Sequence, residues 1–449
     1  MVSLRFLYLT SNELEGGIPK FFGNMCSLNR LCLPYNKLSG ELSEMIQNLS
    51  GGCTMNSLEG VCLEGNDITG PLPDLGGFSS LKILILGENR LNGTIDKSLS
   101  QLLKLESLSL GRNSFTGIIS ETFFSNMSHL QMLYLNDNSF TLKLNHDWVP
   151  PFQLKSLSLA SCKMGPHFPK WLETQNQLIS LDVSNNGISD AVPDWFWDLS
   201  IELVFLNLSN NHIRGSEHEY KSTLGLVKCL DLSSNKLHGA IPEEIMDLVG
   251  LIALNLSRNH LTGPITPKIG QLNSLDFLDL SRNQFSRSIP SSLSQLNGLS
   301  VLDLSSNNLS GKIPLGITGS TIPSNILLLT WLNRINNPTA VVRHLDLSNN
   351  DFGGSPVPEF IGSLSKLRYK LLFQNLLGFF LSGLEFEVRT VEKNGRSFEE
   401  NLFWLGAELQ IIEDLRKIEN GRSLGRNTVE GQNLNPTLIV LSLGNRMEL

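Results

Sequence analysis

The sequence lacks the features that would hold the chain in a membrane or on nucleic acid. No apolar run is long enough to cross a bilayer, because the stretch from Leu371 to Leu384 is short and contains Gln374 and Asn375. A membrane-spanning helix needs about 20 apolar residues. The first residues already belong to a repeat, so we expect no signal peptide there. With a net charge of -8 and no basic stripe, the composition also argues against a nucleic-acid partner.

Patterns for catalysis and metal binding are also missing. The eight histidines are scattered, and His218–Glu219 does not extend to H-E-x-x-H. Gly311–Lys312 lacks the other residues of a phosphate-binding loop. The six cysteines include no C-x-x-C pair that would suggest zinc. We therefore expect no enzymatic activity, no cofactor and no bound metal.

The sequence does contain a strong internal repeat. The pattern L-x-x-L-x-L-x-x-N-x-L/F/I recurs thirteen times between Leu4 and Pro314, and the copies that start at Val227, Leu251, Leu275 and Leu299 are evenly spaced. The two leucines of L-x-L lie on one face of a short strand. Neighbouring coils must stack to bury these faces. The repeat predicts an α/β solenoid, a right-handed leucine-rich repeat superhelix with a parallel β-sheet on its concave face.

The recurrent asparagine predicts a ladder of side-chain amides inside the solenoid. It follows each strand, where the chain turns and buried backbone groups need partners that both donate and accept. Among the thirteen copies the position is broken at Cys162. There we expect unsatisfied backbone groups, at a cost of about 1–3 kcal/mol.

The G-x-I-P endings of several repeats predict the secondary structure on the opposite, convex side of the coils. Examples end at Pro19, Pro242 and Pro314. A proline after isoleucine favours an extended segment. We expect short β or 3-10 segments there.

The repeat spacing also sets the predicted domain organisation. Residues 1–314 form an array of about 13 coils, with an insertion near 50–54 that loops out of the stack. Residues 315–341 are predicted to be an irregular connection, 342–367 an isolated degenerate repeat, and 368–449 an atypical tail, disordered or partly helical around 408–418. The spacing from Leu203 to Val227 equals the spacing from Val227 to Leu251, so the register of the coils is preserved there. Ser216–Glu217–His218 stands where other repeats have the Ile-Pro ending, which predicts a local weak point in this coil.

Several strings that the repeat itself does not require resemble a known family. They are Asn24-Met-Cys-Ser-Leu28, Leu49-Ser-Gly-Gly-Cys53, Trp148-Val-Pro-Pro-Phe152-Gln-Leu154, Phe168-Pro-Lys-Trp-Leu172 and the segment from Glu219 to Asn235. Together with the G-x-I-P subtype, they resemble plant leucine-rich repeat receptor-like proteins of the fungal-xylanase (elicitor) receptor and scab or leaf-mould resistance type. The resemblance covers nearly all of residues 1–314.

The resemblance implies a receptor. Members bind a peptide or protein ligand through an extracellular solenoid at the plasma membrane, and signal in plant defence through partner leucine-rich repeat receptor kinases. The sequence departs from that plan in three ways. It starts within a repeat, it omits the non-repeat segment that interrupts the array before Glu219 in relatives, and it shows no membrane helix. From these departures we expect a truncated or mis-joined reading frame. The alternatives are a soluble or secreted binder similar to polygalacturonase inhibitors, and a non-functional gene fragment.

Ligand selection is predicted to lie in the first half of the concave face. Its exposed strand positions are irregular, whereas the last coils repeat Asp-Leu-Ser or Asn-Leu-Ser, a uniform surface that by resemblance would face a co-receptor kinase. Aromatic and arginine side chains are frequent interface anchors. The predicted ligand-binding residues are Tyr8, Arg30, Tyr35, Glu64, Glu88, Arg112, Tyr134 and Asp137.

Two kinds of covalent modification are also predicted. N-x-S/T sequons occur at Asn48, Asn92, Asn126, Asn207, Asn255 and Asn308, although the repeat consensus itself generates such triplets. Cys26 and Cys53 lie in family-like strings before successive strands and would pair in an oxidising compartment. Cys32 and Cys62 occupy the same position of adjacent strands, about 5 Å apart, and there we expect free thiols.

Overall fold

The computed structural model describes residues 4–95, 97–199, 202–215, 225–296, 298–299, 301–314, 344–352 and 439–440. The chain divides into two compact units, one formed by residues 1–379 with 438–449 and the other by residues 380–437. All described residues belong to the first unit. The predicted connection 315–341, the predicted helix at 408–418 and the predicted weak point at Ser216–Glu217–His218 lie outside the described residues.

The concave sheet contains one three-residue strand from each coil, and we number the coils 1 to 14 by these strands. In chain order they are Phe6–Tyr8, Arg30–Cys32, Gly60–Cys62, Ile83–Ile85, Ser107–Ser109, Met132–Tyr134, Ser156–Ser158, Ser180–Asp182, Phe205–Asn207, Cys229–Asp231, Ala253–Asn255, Phe277–Asp279, Val301–Asp303 and His344–Asp346. All neighbours pair in parallel with the repeat positions aligned, as in Leu254 opposite Leu278. The predicted leucine-rich repeat solenoid is confirmed.

The core is a column of apolar side chains that runs through the coils. The central strand leucines are buried, with Leu84, Leu157 and Leu254 each 0% exposed. Phenylalanines add bulk between coils, as in the stacked rings of Phe115 and Phe140, whose centroids are 6.0 Å apart. Each buried side chain of this size contributes roughly 1.5–3 kcal/mol of transfer free energy. The stability of the array therefore comes from contacts between successive coils.

The predicted asparagine ladder is present, and Asn211 shows its geometry. The Asn211 Nδ2 group donates to the carbonyls of Val183, Leu208 and Ser209, each at 3.1 Å. Its Oδ1 atom accepts from the N–H groups of Asn186 and Ile188, each at 3.0 Å. One side chain thus satisfies five backbone groups, three of them in the preceding coil.

At Cys162 the ladder weakens, but the carbonyl groups among the backbone groups that were expected to be unsatisfied do have partners. The thiol lies 3.6 Å from the carbonyl oxygens of Leu135 and Ala160, two of the three positions that an asparagine would reach. The Leu159 carbonyl accepts from Asn186 Nδ2 at 2.9 Å. The Cys162 N–H donates to Asn186 Oδ1. Weak thiol donors and the neighbouring rung therefore replace the missing amide.

The opposite side of the coils carries short wall strands and 3-10 helices, as the G-x-I-P endings predict, and also α-helices, which those endings do not predict. One wall sheet contains Glu15–Gly16, Lys37–Glu41, Asp67–Pro71, Arg90–Thr94, Ser114–Ser120 and Ser139–Lys143; a second contains His238–Gly239, His260–Pro264, Gln284–Arg287 and Asn308–Leu309. The α-helices are Leu42–Ser50, Thr54–Ser57 and Glu121–Phe124. The 3-10 helices are Lys20–Asn24, Lys97–Gln101, Lys170–Thr174, Asp194–Asp198, Glu243–Asp247, Pro267–Gln271 and Ser291–Gln295.

The extra residues of coil 2 pack against the array instead of looping out, which corrects the prediction for residues 50–54. The helix Leu42–Ser50 buries four apolar side chains on its inner face. Thr54 is 0% exposed and donates its hydroxyl to the Phe22 carbonyl at 2.6 Å. The insertion therefore forms part of the core because its apolar positions recur with helical spacing.

The repeat near residue 342 is not isolated in the structure. Its strand His344–Asp346 pairs with Val301–Asp303, and Asn350 extends the ladder by donating to the Leu304 carbonyl at 2.9 Å. It is therefore coil 14 of the same stack. At the other end, Ile439–Val440, within the predicted atypical tail, pairs in parallel with Phe6–Tyr8.

Every ladder asparagine is preceded by a residue with left-handed backbone geometry where the structure describes it. Examples are Tyr35, Glu88, Arg112 and Asp137, with φ between 51° and 54°. The turn out of the strand requires this geometry, which non-glycine residues adopt infrequently. It directs these four side chains to the same edge of the concave sheet, on successive coils apart from coil 3, where Gly65 occupies the position.

Candidate ligand-recognition surface

Six of the eight predicted ligand-binding residues converge on one edge of the concave face, in coils 2 to 6. We call this group the charged recess; it comprises Tyr35, Glu64, Glu88, Arg112, Tyr134 and Asp137. Glycines provide the space for it. A Cβ atom on Gly65 would lie 2.3 Å from the Tyr35 ring, and one on Gly87 would lie 3.4 Å from Glu64 Oε1. Side chains from one coil therefore lie over the backbone of the next.

Arg112 is the electrostatic centre of the charged recess. Its Nη1 atom lies 2.7 Å from Glu88 Oε1, and its Nε atom lies 3.6 Å from Asp137 Oδ2. The side chains of Arg112 and Glu88 are only 23% and 19% exposed. Asn136 Nδ2 also donates to Asp137 Oδ2 at 2.8 Å. Because the Arg112–Glu88 pair is largely shielded from water, it holds the guanidinium more firmly than an exposed pair would.

Glu64 lies partly buried between these groups. Loss of contact with water raises the pKa of its carboxyl to about 7, and the nearby Glu88 carboxylate acts in the same direction. The Arg112 guanidinium and a hydrogen bond with Tyr35 oppose this rise in pKa. Near neutral pH, Glu64 is therefore present in both its protonated and its ionised form.

Tyr134 closes the charged recess on the side of coil 7. Its hydroxyl donates to Ser156 Oγ at 2.6 Å. Burial raises the pKa of the phenol, and the Glu64 carboxylate adds to the rise. The ring is thus fixed as a neutral side chain.

The polar contacts continue beyond the predicted residues into coils 7 and 8. Ser161 Oγ donates to Asp137 Oδ1 at 3.2 Å, and Asn185 Nδ2 donates to Ser161 Oγ at 3.0 Å. Sequence reasoning missed both residues. They share the position before the ladder residue with Arg112 and Asp137, and that shared position was the available signal.

The remaining two predicted residues lie apart from this group. Tyr8 belongs to coil 1, where it pairs with Cys32 in the neighbouring strand. The Arg30 side chain lies along Gly60, at 3.2 Å from the position of an added Cβ atom. The structure therefore does not assemble all eight predicted residues into one site.

The uniform half of the concave face presents a column of aspartates and asparagines. In coils 8 to 11 the two alternate, as Asp182, Asn207, Asp231 and Asn255, and Asn255 Nδ2 donates to Asp231 Oδ2 at 3.2 Å. Burial raises the pKa of Asp182 to about 6. The amides separate the carboxylates and limit their repulsion.

The six sequons lie in different surroundings. Asn92, Asn126 and Asn308 are exposed on the wall side of the coils. Asn207 and Asn255 are only partly exposed on the concave strands, and Asn48 Nδ2 donates to the Ile18 carbonyl at 2.8 Å.

The cysteines of the first coils are paired. Cys26 and Cys53 form a disulfide with Cα atoms 4.9 Å apart. Cys32 and Cys62 face each other across adjacent strands, as predicted, but the structure joins them in a second disulfide. The expectation of free thiols is therefore wrong. The Cα separation of 4.4 Å is short enough for a disulfide. Cys162 and Cys229 are free and buried.

Two further properties concern the described residues only. None of the helices among them is long and apolar enough to span a membrane. Nor do they contain a group of three or more histidine, cysteine, aspartate or glutamate side chains that could hold a metal ion.

Comparison with known proteins assigns the repeats to a family. The leucine rich repeat family matches residues 79–140 and 201–261, and a second leucine rich repeat description matches residues 3–25, 177–199, 274–296, 298–320 and 342–364. Receptor-like protein EIX2 of Solanum lycopersicum is 33% identical over 291 residues, which cover 49% of this chain and 28% of that protein. Receptor-like protein EIX1 of the same species is 50% identical over 99 residues, 22% of this chain and 10% of that protein. The chain belongs to the plant leucine-rich repeat receptor-like proteins.

Solved structures of plant receptors agree with the assignment of this chain to the receptor-like proteins. The plant peptide hormone receptor RGFR1 in complex with RGF2 is 28% identical, with a TM-score of 0.55, over 81% of this chain and 58% of that one. The Arabidopsis receptor kinase HAESA, in complex with the peptide hormone IDA and the co-receptor SERK1, is 26% identical with a TM-score of 0.55, over 82% of this chain and 66% of that one. The chain thus spans less than a third of these two tomato relatives and about two thirds or less of these receptor structures.

Proposed function

We propose that this receptor-like protein recognises a peptide or protein ligand, without catalysis, through the charged recess. The supporting observation is the shielded ion pair of Arg112 with Glu88, together with Asp137 of the next coil, whose Oδ2 atom lies 3.6 Å from Arg112 Nε. An ordered charged group costs little entropy when a ligand binds, so it favours specific recognition. Ligand complexes of similar repeat structures, such as RGFR1 with RGF2, support the same proposal.

The proposal extends to the cellular setting of the protein. Its resemblance to receptor-like proteins supports a place at the plasma membrane with the repeats facing outward, and a role in plant defence signalling through partner receptor kinases. The HAESA structure contains a co-receptor, SERK1. By analogy, the uniform coils 10 to 13 would face such a kinase.

The test compares two arginines at the same repeat position. Arg112 lies in the charged recess, whereas Arg258 of coil 11 is exposed and shares its left-handed φ of about 50°. Asparagine tolerates that geometry, so Arg112→Asn and Arg258→Asn are matched variants of the full chain. Peptides selected from a random displayed library on the unmodified chain are then measured for binding to both variants.

We expect Arg112→Asn to weaken binding of the selected peptides at least tenfold, which is about 1.4 kcal/mol, and Arg258→Asn to change it less than twofold. Equal effects of the two substitutions would place recognition elsewhere. A library that yields no binder to the unmodified chain would contradict ligand recognition altogether.

A soluble binder of the polygalacturonase-inhibitor kind remains the second candidate. It makes the same use of the concave face, so the peptide experiment does not separate the two. Fractionation of plant cells that express the gene with its native flanking sequence does, because a receptor would be recovered with membranes and an inhibitor with the extracellular fluid.

A further inference from the structure

A second concavity lies at the edge of the sheet where the strands of coils 5 to 7 begin, whereas the charged recess lies at the edge where the strands end. Its volume is about 460 Å³, within the range of small-ligand sites. The lining side chains include Glu106, His129, Gln131, Gln153, Lys155 and Gln177, with Pro150 and Pro151 forming part of one wall. We call it the amide groove.

Three of its side chains occupy one repeat position of successive coils. The Gln131 N–H donates to the Glu106 carbonyl at 2.8 Å, and the Lys155 N–H donates to the Gln131 carbonyl at 2.7 Å. These bonds fix the three residues side by side, with Gln131 in the middle. Glu106 and Lys155 are therefore two strand spacings apart, roughly 10 Å. In coils 3 and 4 the same position holds the ion pair of Glu59 with Lys82, at 3.0 Å.

A second row contributes oriented polar groups. His129 Nδ1 lies 3.1 Å from the Leu103 carbonyl oxygen, which fixes the imidazole. Gln153 Nε2 donates to the Thr174 carbonyl at 2.9 Å, while its Oε1 atom is buried and has no hydrogen-bond partner among the described residues.

The groove therefore offers donors and acceptors, no net charge from Glu106 and Lys155, and the exposed apolar ring of Pro151. Hydroxyl groups both donate and accept, and a pyranose ring combines several of them with an apolar face. We infer that the amide groove binds a neutral oligosaccharide, either free or carried by a glycoprotein. This site is separate from the peptide site proposed above, since its residues differ from those of the charged recess.

Titration calorimetry of the full chain tests the inference with cellohexaose and mannohexaose as free neutral probes and trigalacturonate as a charged one. Ribonuclease B, which carries a mannose-rich glycan, and unglycosylated ribonuclease A distinguish the glycoprotein source. The variants are Gln131→Leu and Glu106→Gln. Asp276→Asn is the matched control, because Asp276 shares the repeat position of Glu106 in coil 12.

We expect at least one neutral probe to bind, and both groove variants to weaken its binding at least tenfold while Asp276→Asn changes it less than twofold. Circular dichroism and melting curves confirm that the variants are folded. Three results would each overturn the inference: no binding of any neutral glycan at millimolar concentration, binding of trigalacturonate alone, or binding that both groove substitutions leave unchanged. If no glycan bound and the two groove substitutions weakened binding of the selected peptides, the groove would instead belong to the peptide ligand.

Discussion

Replacement of a buried ladder asparagine should destabilise several coils at once. Asn211 is 2% exposed and makes five hydrogen bonds to backbone groups, three as donor and two as acceptor. A net contribution near 1 kcal/mol for each bond gives a loss of about 5 kcal/mol for Asn211→Ala. Because three of the five partners belong to the preceding coil, the damage should spread across coils 8 and 9.

The end of the ladder supplies a matched control. Asn12 occupies the same repeat position in coil 1, where its Nδ2 group donates to the Thr10 carbonyl in an exposed bond. Asn12→Ala should cost less than about 1 kcal/mol, since water replaces an exposed partner. Asn211→Cys, which imitates the natural Cys162, should fall between the two alanine variants.

Native-state hydrogen exchange is the appropriate assay, because a repeat array need not unfold in a single two-state step. The amides of Asn186 and Ile188, which donate to Asn211, report on the rung directly. Their protection should fall in Asn211→Ala and stay unchanged in Asn12→Ala. Equal losses of stability in the two variants, or unchanged protection at these amides, would refute the account of the ladder.

Other substitutions probe the remaining contacts. Asp182 has a pKa of about 6 against 3.8 for the free group, so ionisation costs stability as the pH rises through that window. Asp182→Asn should therefore raise the free energy of unfolding by about 2–3 kcal/mol at pH 7 and by almost nothing at pH 3.5, and a pH-independent effect in urea titrations would contradict this. Replacing both Cys26 and Cys53 by serine opens a loop with a sequence separation of 27 and should cost about 3–4 kcal/mol, measured by thermal unfolding; unchanged stability would argue against the crosslink. Gly65→Ala should destabilise more than Gly187→Ala, because both have positive φ but an added Cβ atom meets an aromatic ring within 2.3 Å only at the former; equal unfolding midpoints would contradict that steric argument.

The fold was predictable because every coil repeats the same physical requirements. The spacing between Leu203 and Val227 predicted continuous pairing, and the structure pairs Phe205 with Cys229 across that junction. The docking of coil 14 was not predictable, since the repeat pattern alone does not show whether residues after an interruption return to the stack. The packing of Thr54 was missed for a related reason, because an insertion was assumed to lie outside the repeat.

The site was predictable in its location but not in its contacts. The ion pair of Glu88 with Arg112 joins residues 24 positions apart, so matched repeat positions of opposite charge were a usable signal. Glu64 lies over Gly87 of the next coil, and no property of the glutamate itself indicates its burial. Prediction of the disulfide between Cys32 and Cys62 requires their Cα separation, which is 4.4 Å. The strand register alone predicts that distance only approximately.

The ladder has a further consequence for how such a chain can vary. Asparagine rungs within the stack make equivalent donor contacts with the preceding coil, as the bonds of Asn235 and Asn259 to carbonyls 27 residues earlier show. Any coil that ends in this rung can therefore follow any other. Whole coils can be added to or removed from such a stack while the new neighbours meet through an unchanged interface. The length of the recognition surface can thus be altered by recombination, independently of the residues that select the ligand.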